Sequence, residues 1–247
     1  MALVVHGLNT APAAMLPVVQ WLNRQNIAAY LVLLSGHYAG GTPLQNVTAS
    51  VWQQEVLAGY AAAKKAAGEK AVPLFFVGYS LGGLLGQSVL VLPAHSPPFD
   101  RQLLLSPAIT LRRRAFLLRA LFFLPPSVGL PSFSPPSYRV STALPLRLYQ
   151  VLFGEERKMQ QADSSRLNIP TLVLMDPNDE LISYKRLQKW IQKYHLTNYT
   201  VVTLDPDLTG RSKRFHHLIL DEATMGKKNW QLATAQWKAF LFPEREE

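Results

Sequence analysis

The chain has 247 residues, of which 48% are hydrophobic and 17% charged, a composition that excludes a disordered protein. Cysteine is absent, which excludes disulfide scaffolds, cysteine nucleophiles, thiolate zinc sites and iron–sulfur clusters. The net charge is +9, but the segment between Pro107 and Pro170 holds nine basic and three acidic residues and therefore carries +6 of it. Because the charge is local and no recognition motif accompanies it, we expect no nucleic-acid partner.

Six short apolar runs predict buried strands, and segments with helical spacing lie between them. We predict strands over 2–5, 27–34, 73–77, 102–105, 170–175 and 199–204, and helices over 13–25, 48–67, 81–92, 184–194 and 228–241. Ser50 and Gln53 have the spacing of a capping box near the start of the second helix. Apolar strands that alternate with amphipathic helices are typical of a mostly parallel sheet with helices on both faces, so we predict the α/β class.

Residues 108–168 interrupt this alternation. They include five prolines from Pro125 to Pro136 and the segment 111–124, which is both apolar and rich in arginine. About sixty residues without a sheet strand are too many for a plain loop. We therefore predict a core formed by 1–107 and 169–247, and a cap subdomain over 108–168 that is inserted after the fourth visible strand.

The N-terminus and the apolar runs also bear on location. No run of about 18 uncharged apolar residues occurs, so we expect no membrane-spanning segment. The first residues lack the basic leader of a secretory signal. We therefore expect a cytoplasmic protein.

A Gly-x-Ser-x-Gly sequence, residues 78–82, lies between the third strand and the following helix. This is the context of a nucleophile elbow, in which Ser80 occupies a tight turn and glycines relieve crowding on either side. The N–H of Leu81 is one expected oxyanion donor. The second is expected after the first strand at Leu8, where Gly7 would let the backbone turn toward the site.

A serine nucleophile needs a base, and in this architecture the acid and then the histidine follow the serine along the chain. The base is His216 or His217, both after the sixth strand, whereas His6 is expected to be structural and His195 to lie on the surface. Candidate acids follow the fifth and sixth strands. They are Asp179 first, then Asp176, with Asp205 and Asp207 as fallbacks.

Together these motifs resemble the α/β-hydrolase superfamily, in particular the branch of monoacylglycerol lipases, lysophospholipase-like proteins and small bacterial carboxylesterases. The resemblance implies the α/β-hydrolase fold, Asp179 as the acid and His217 as the base, with Glu222 five residues after the histidine. The family usually has one or two strands before the His-Gly strand, so the leading edge strands are expected to be absent here. Asp176 stands where a glycine is common. The resemblance rests on the segments 4–8, 34–43, 78–83, 104–108 and 172–179.

These observations predict a serine hydrolase that cleaves acyl (carboxylic) esters with Ser80, His217 and Asp179 and needs neither a metal nor a cofactor. The expected substrate is a small, lipid-like ester such as a monoacylglycerol or a lysophospholipid. The alternatives are a non-catalytic protein of the same fold that binds a lipid or a partner, and a peptidase or acyltransferase with the same triad.

The segment 111–124 allows two interpretations. Its apolar residues and arginines could contact an anionic membrane peripherally, with the arginines at lipid phosphates. Alternatively, it forms an amphipathic cap helix packed on the core, with the arginines extended to water. The residues expected to line the substrate pocket are Phe116, Phe122 and Phe123.

Overall fold

The structure is a computed structural model that describes residues 1–38, 43–91, 99–161, 164–208 and 215–243. Two sequence features lie outside these residues: His95, which is too early in the chain to be the expected base, and the 39–42 part of the segment 34–43. The strands are β1 (Ala2–Val5), β2 (Ala29–Val32), β3 (Phe75–Tyr79), β4 (Arg101–Leu105), β5 (Gly129–Pro131), β6 (Ala143–Pro145), β7 (Thr171–Met175) and β8 (Tyr199–Thr203). The α-helices are α1 (Leu16–Arg24), α2 (Ala49–Glu69), α3 (Leu81–Leu90), α4 (Leu146–Gln161), α5 (Tyr184–Lys193), α6 (Glu222–Met225) and α7 (Lys227–Leu241).

Six strands form one sheet in the order β2-β1-β3-β4-β7-β8, and every neighbouring pair is parallel. The predicted parallel sheet is confirmed. Because parallel strands end at the same edge of a sheet, the loops after β1, β3 and β7 open on one side. The loop after β1 contains the predicted oxyanion residue Leu8, the turn after β3 contains Ser80, and the loop after β7 contains Asp179.

Strand residues alternate between two apolar clusters, as the two-residue period of a strand requires. Leu3 and Val5 face the cluster that includes residues of α2, α3, α4 and α5, whereas Ala2 and Val4 face residues of α1, α6 and α7. Helices therefore cover both faces of the sheet. All four of these β1 side chains are fully buried.

The predicted capping box at Ser50 and Gln53 is wrong. Helix α2 is capped by Thr48, whose hydroxyl oxygen accepts a hydrogen bond from the N–H of Val51 at 3.3 Å. Ser50 lies within the first turn of the helix, and the Gln53 amide donates to Glu155 at 2.6 Å. The cap lies two residues earlier because Thr48, in extended conformation, reaches the N–H three residues on.

The described residues of the segment 108–168 contribute no strand to the six-stranded sheet. It contains the short antiparallel pair β5-β6, helix α4 and a 3₁₀ helix over Arg113–Leu121. The helix within 111–124 is thus a 3₁₀ helix, and Phe116, Leu118 and Phe122 of this segment pack against the core, as in the second interpretation above. The division of the chain into core and cap stays a prediction. Among the residues described, no helix combines the length and the hydrophobicity needed to cross a bilayer.

Candidate active site

Ser80 occupies a strained turn between β3 and α3, with a left-handed backbone φ of +51°. The flanking glycines are required by close packing. A Cβ on Gly82 would lie 2.2 Å from the carbonyl oxygen of Val5, and one on Gly78 would lie 2.6 Å from the Cα of Gly83. The expectation that side chains would crowd this turn is confirmed, and the N-terminus of α3 is held against the end of β1.

Three predicted residues form a continuous hydrogen-bonded chain. The Ser80 Oγ lies 2.9 Å from Nε2 of His217, and Nδ1 of the same imidazole lies 2.8 Å from Oδ2 of Asp179. Asp179 is fully buried, and its other oxygen accepts the N–H groups of Leu181 and Ile182 at 2.8 Å each. Since the carboxylate accepts a hydrogen bond from the Nδ1–H group, the lone pair of Nε2 faces the serine hydroxyl.

The electrostatics of this chain favour an ionised carboxylate beside a basic imidazole. Burial lowers the pKa of His217, but Asp179 and, to a smaller extent, Glu180 outweigh burial, and the net pKa is raised above its ordinary 6.5. Burial raises the pKa of Asp179, but His217 and the two N–H donors outweigh it, and the net pKa is lowered. These shifts favour the charged form of Asp179 and make the His217 imidazole more basic than a free histidine.

The loop after β1 is held by two buried histidines. Nε2 of His6 accepts the Leu34 N–H at 3.2 Å, and Nε2 of His37 accepts the Asn9 N–H at 3.0 Å. Burial is the largest cause that lowers the pKa of His6 to about 3 and that of His37 to about 4, so both rings are neutral acceptors near neutral pH. His6 is fully buried and has the structural position expected of it.

The turn in this loop differs from the one expected. Asn9 adopts the left-handed conformation with φ of +56°, and its side chain bonds Ser132 and Ser141 of the predicted cap. Gly7 is needed for space, because a Cβ there would lie 2.8–2.9 Å from the side chains of Thr10 and Tyr79. Sequence reasoning missed His37 and Asn9, although asparagine's tolerance of this conformation was an available signal.

A cavity of about 540 Å³ opens beside the serine and the histidine. Its wall is mostly apolar and comes largely from 108–153, whereas Phe116, Phe122 and Phe123 do not line it. Phe116 and Phe122 pack on Phe153 with ring centroids 5.4 and 5.8 Å apart, and Phe123 is 82% exposed. The apolar side chains that line the cavity include Leu111, Leu118, Leu144, Leu152, Phe153 and Ile182.

Of the two predicted oxyanion residues, Leu8 borders the cavity and Leu81 does not. Leu8 lines the cavity together with Ser80. Leu81 is fully buried at the N-terminus of α3, where the contact of Gly82 with β1 brings the two loops together. The assignment of their N–H groups as oxyanion donors stays a prediction.

A protein-family model described as "Alpha/beta hydrolase family" matches residues 2–232. The chain belongs to the alpha/beta hydrolase family. The match covers nearly the whole chain, so the sheet, the serine turn and the histidine loop all lie within it.

Solved structures share the fold of this alpha/beta hydrolase at low identity. The monoglyceride lipase of Saccharomyces cerevisiae is 13% identical with a TM-score of 0.77, and 97% of this chain and 85% of that chain are covered. The monoacylglycerol lipase of Paleococcus ferrophilus is 14% identical with a TM-score of 0.68, and 96% of this chain and 92% of that chain are covered. A structure from work on the metagenome-derived lipolytic enzymes LipS and LipT is 20% identical with a TM-score of 0.75, and 97% of this chain and 92% of that chain are covered. No curated protein matches this sequence.

The other candidate acid and base form a pair of their own. Nδ1 of His216 lies 2.9 Å from Oδ2 of Asp176, which is fully buried after β7. This second pair joins the same two loops as the pair of Asp179 and His217. Of the fallback acids, Asp205 accepts the N–H of Asp207 at 2.9 Å in the loop after β8.

Three arginine side chains near the start of the predicted cap contact other parts of the protein. The guanidinium of Arg112 donates to the backbone carbonyls of Asp179 and Pro177, and that of Arg114 donates to the carbonyl of Glu180 at 2.8 Å. Arg119 stacks over Phe116, with 4.5 Å from its guanidinium carbon to the ring centroid. The start of the predicted cap is thus tied to the acid loop.

His195 is exposed after α5, as expected. Within the described ranges, no group of three or more His, Asp or Glu side chains could hold a metal ion.

Proposed function

We propose that this protein hydrolyses acyl esters through a covalent acyl-enzyme on Ser80. The observation that carries the proposal is the chain of contacts from Ser80 to His217 at 2.9 Å and from His217 to Asp179 at 2.8 Å, beside an apolar cavity. A hydroxyl becomes an effective nucleophile only when a positioned base removes its proton, and this arrangement supplies the base and the group that orients it.

Ser80 Oγ attacks the acyl carbon while Nε2 of His217 takes the hydroxyl proton. The N–H groups of Leu8 and Leu81 stabilise the oxyanion that forms, and Asp179 stabilises the charged imidazole. The intermediate collapses as His217 gives its proton to the leaving alcohol. Water, deprotonated by His217, then attacks the acyl-enzyme, and the carboxylic acid and free Ser80 are released.

The substrate we propose has a hydrophobic acyl chain, as in a monoacylglycerol or a lysophospholipid. Three features support this class: the apolar wall of the cavity, its volume of about 540 Å³, and the lipolytic enzymes among the proteins that share the fold. Residues 108–168 act as the cap, because most of the apolar wall comes from them.

Labelling with a fluorophosphonate probe, followed by intact mass and peptide mapping, tests the nucleophile without a chosen substrate. We expect a single adduct on Ser80, which is lost in Ser80→Ala and strongly slowed in His217→Ala. Loss of a triad residue commonly lowers the rate by about 10⁴–10⁶. A folded protein that gives no adduct would refute the proposal and favour a non-catalytic binding protein.

Ester, amide and thioester versions of one acyl chain separate the proposed reaction from the alternatives on the same triad. We expect the ester to be cleaved fastest, with water as the acceptor. Faster cleavage of the amide would indicate a peptidase. Transfer of the acyl group to an added alcohol in preference to water would indicate an acyltransferase.

We further propose that exposed apolar and basic side chains of residues 113–133 contact an anionic membrane. Leu117, Phe123 and Phe133 are 74%, 82% and 72% exposed, and Arg113 and Arg114 are exposed on the same segment as Leu117. Apolar side chains flanked by arginine are suited to an anionic lipid surface, where each basic residue adds about 1 kcal/mol.

Co-sedimentation with vesicles tests the membrane contact. We expect stronger binding to vesicles that contain phosphatidylserine than to phosphatidylcholine alone, and weaker binding of Phe123→Ser and Arg113→Gln. Equal binding to both kinds of vesicle, or to neither, would refute it.

A further inference from the structure

One charged side chain faces the cavity. Among the described residues that line it, Glu180 is the one member of the Asp, Glu, Lys and Arg set, and none of the arginines in 108–168 is among them. The described part of the cavity wall therefore carries a negative charge, although the segment that covers it is strongly basic.

The hydrogen-bond partner of the Glu180 carboxylate is a neutral backbone N–H group. Oε2 of Glu180 accepts the backbone N–H of His217 at 2.9 Å, and within the part of the chain that the structure describes no lysine or arginine forms an ion pair with it. Arg114 bonds the backbone carbonyl of Glu180 and not its carboxylate. The second carboxylate nearby, Asp179, lies behind the imidazole and is bonded to it.

The position of Glu180 relates this charge to one part of the substrate. In ester cleavage His217 returns its proton to the leaving alcohol, so the alcohol must lie beside the imidazole. Glu180 is attached to the backbone of that same histidine. A charge on the alcohol portion therefore experiences the carboxylate, across a cavity whose apolar walls screen it less than water does.

We infer that Glu180 makes the site select esters of uncharged or cationic alcohols and reject esters of anionic alcohols, an inference that rests on the ester hydrolysis proposed above. Within the proposed lipid class, an uncharged headgroup is favoured over one with a phosphate next to the ester. The exposed arginines outside and the carboxylate inside then have different partners. The arginines contact an anionic surface, and the cavity accepts a non-anionic molecule from it.

Three hexanoate esters of similar size test the inference: those of choline, of its uncharged carbon isostere and of isethionate. The measured quantity is the ratio of kcat/KM between esters, at low ionic strength, for the wild type and for Glu180→Gln. Glutamine keeps an oxygen that can accept the His217 N–H, and any change in the basicity of His217 affects the three esters alike and cancels in the ratio. Glu222→Gln is the matched control, because Glu222 is exposed at the start of α6, five residues after His217, and is not among the cavity residues.

We expect the wild type to favour the choline ester over the uncharged ester, and the uncharged ester over the isethionate ester. Each ratio of kcat/KM should be about tenfold. This is the size expected for two unit charges up to roughly 10 Å apart at an effective dielectric constant near 20. Glu180→Gln should remove most of both differences, and Glu222→Gln should retain them. A wild type that prefers the isethionate ester, or ratios unchanged in Glu180→Gln, would overturn the inference while ester hydrolysis stands. Failure to cleave any of the three, together with no fluorophosphonate adduct, would remove the proposed function and this inference with it.

Discussion

The start of α3 packs so closely on β1 that position 82 has no room for a side chain. A Cβ on Gly82 would lie 2.2 Å from the Val5 oxygen, 2.6 Å from the Val5 carbonyl carbon and 2.7 Å from the His6 oxygen, whereas ordinary contact begins at 3.4 Å. These neighbours are backbone atoms of a fully buried strand and the loop after it, so they cannot rotate away. Gly82→Ala must therefore move the N-terminus of α3 by about an ångström, and Leu81 with it.

Two effects follow from that shift. Overpacking costs about 1–3 kcal/mol, and the rigid neighbours place this substitution near the upper value, which lowers Tm by roughly 5–10 °C for a chain of this size. If the Leu81 N–H is an oxyanion donor, its displacement should slow reaction at Ser80 by about 10²-fold, near the cost of losing one such donor.

Urea denaturation and the rate of fluorophosphonate labelling measure the two effects separately. The matched control is Gly68→Ala in α2, where a Cβ meets no heavy atom within 4 Å. That variant should label at the wild-type rate and gain up to about 1 kcal/mol from its helix propensity. Wild-type stability and labelling in Gly82→Ala would refute the close packing of α3 on β1 and its role in the oxyanion site.

Three further substitutions test the charges and contacts of the site. Asp179 raises the pKa of His217, and the base must be unprotonated, so kcat/KM should fall as the pH drops through a value above 6.5. Asp179→Asn should move that fall to lower pH and reduce the rate by about 10⁴-fold. A pH profile that does not move in Asp179→Asn would contradict this prediction. His37 has a folded pKa of about 4, so between pH 6.5 and 4 it binds a proton in the unfolded chain but not in the folded chain. Its contribution to stability should therefore fall by about 1.4 kcal/mol per pH unit as the pH drops, in addition to a similar fall from His6. Urea denaturation should show a smaller fall in His37→Gln, which keeps an acceptor, and an equal fall would count against the buried neutral ring. Arg112→Gln should lower the free energy of unfolding by about 1–2 kcal/mol in the same assay, because it removes charged hydrogen bonds to two backbone carbonyls. Arg113→Gln, at an exposed position, should change it by less than about 0.5 kcal/mol. Equal effects of the two substitutions would exclude a special role for Arg112.

The fold could be predicted from the sequence because its sheet strands are apolar runs. Strand β1 has the predicted bounds, whereas β2 is shorter than predicted, since Ile27 and Leu34 are buried beyond the strand ends and extend the apolar run. The pair β5-β6 was missed. Each of these strands has three residues and ends in proline, which is too short for a period-two pattern to appear.

The serine could be identified from the sequence because its turn imposes glycines at fixed positions. The acid and the base could not be assigned from spacing alone, because His216 with Asp176 and His217 with Asp179 are two pairs separated by 40 and 38 residues. The fold brings both pairs into contact, and the orientation of the loop decides which imidazole faces Ser80.

The hydrogen bonds between residues 110–114 and 177–183 determine where this protein can be recombined with a relative. The N–H groups of Arg112 and Ser183 pair with carbonyls across the two segments, so residues 110–114 support the loop that contains Asp179. A chimera joined before Thr110 would import foreign partners for the loop that carries Asp179, and substrate preference and turnover would change together. A junction after Arg114 would leave that loop supported, so that new specificities could be exchanged as a module.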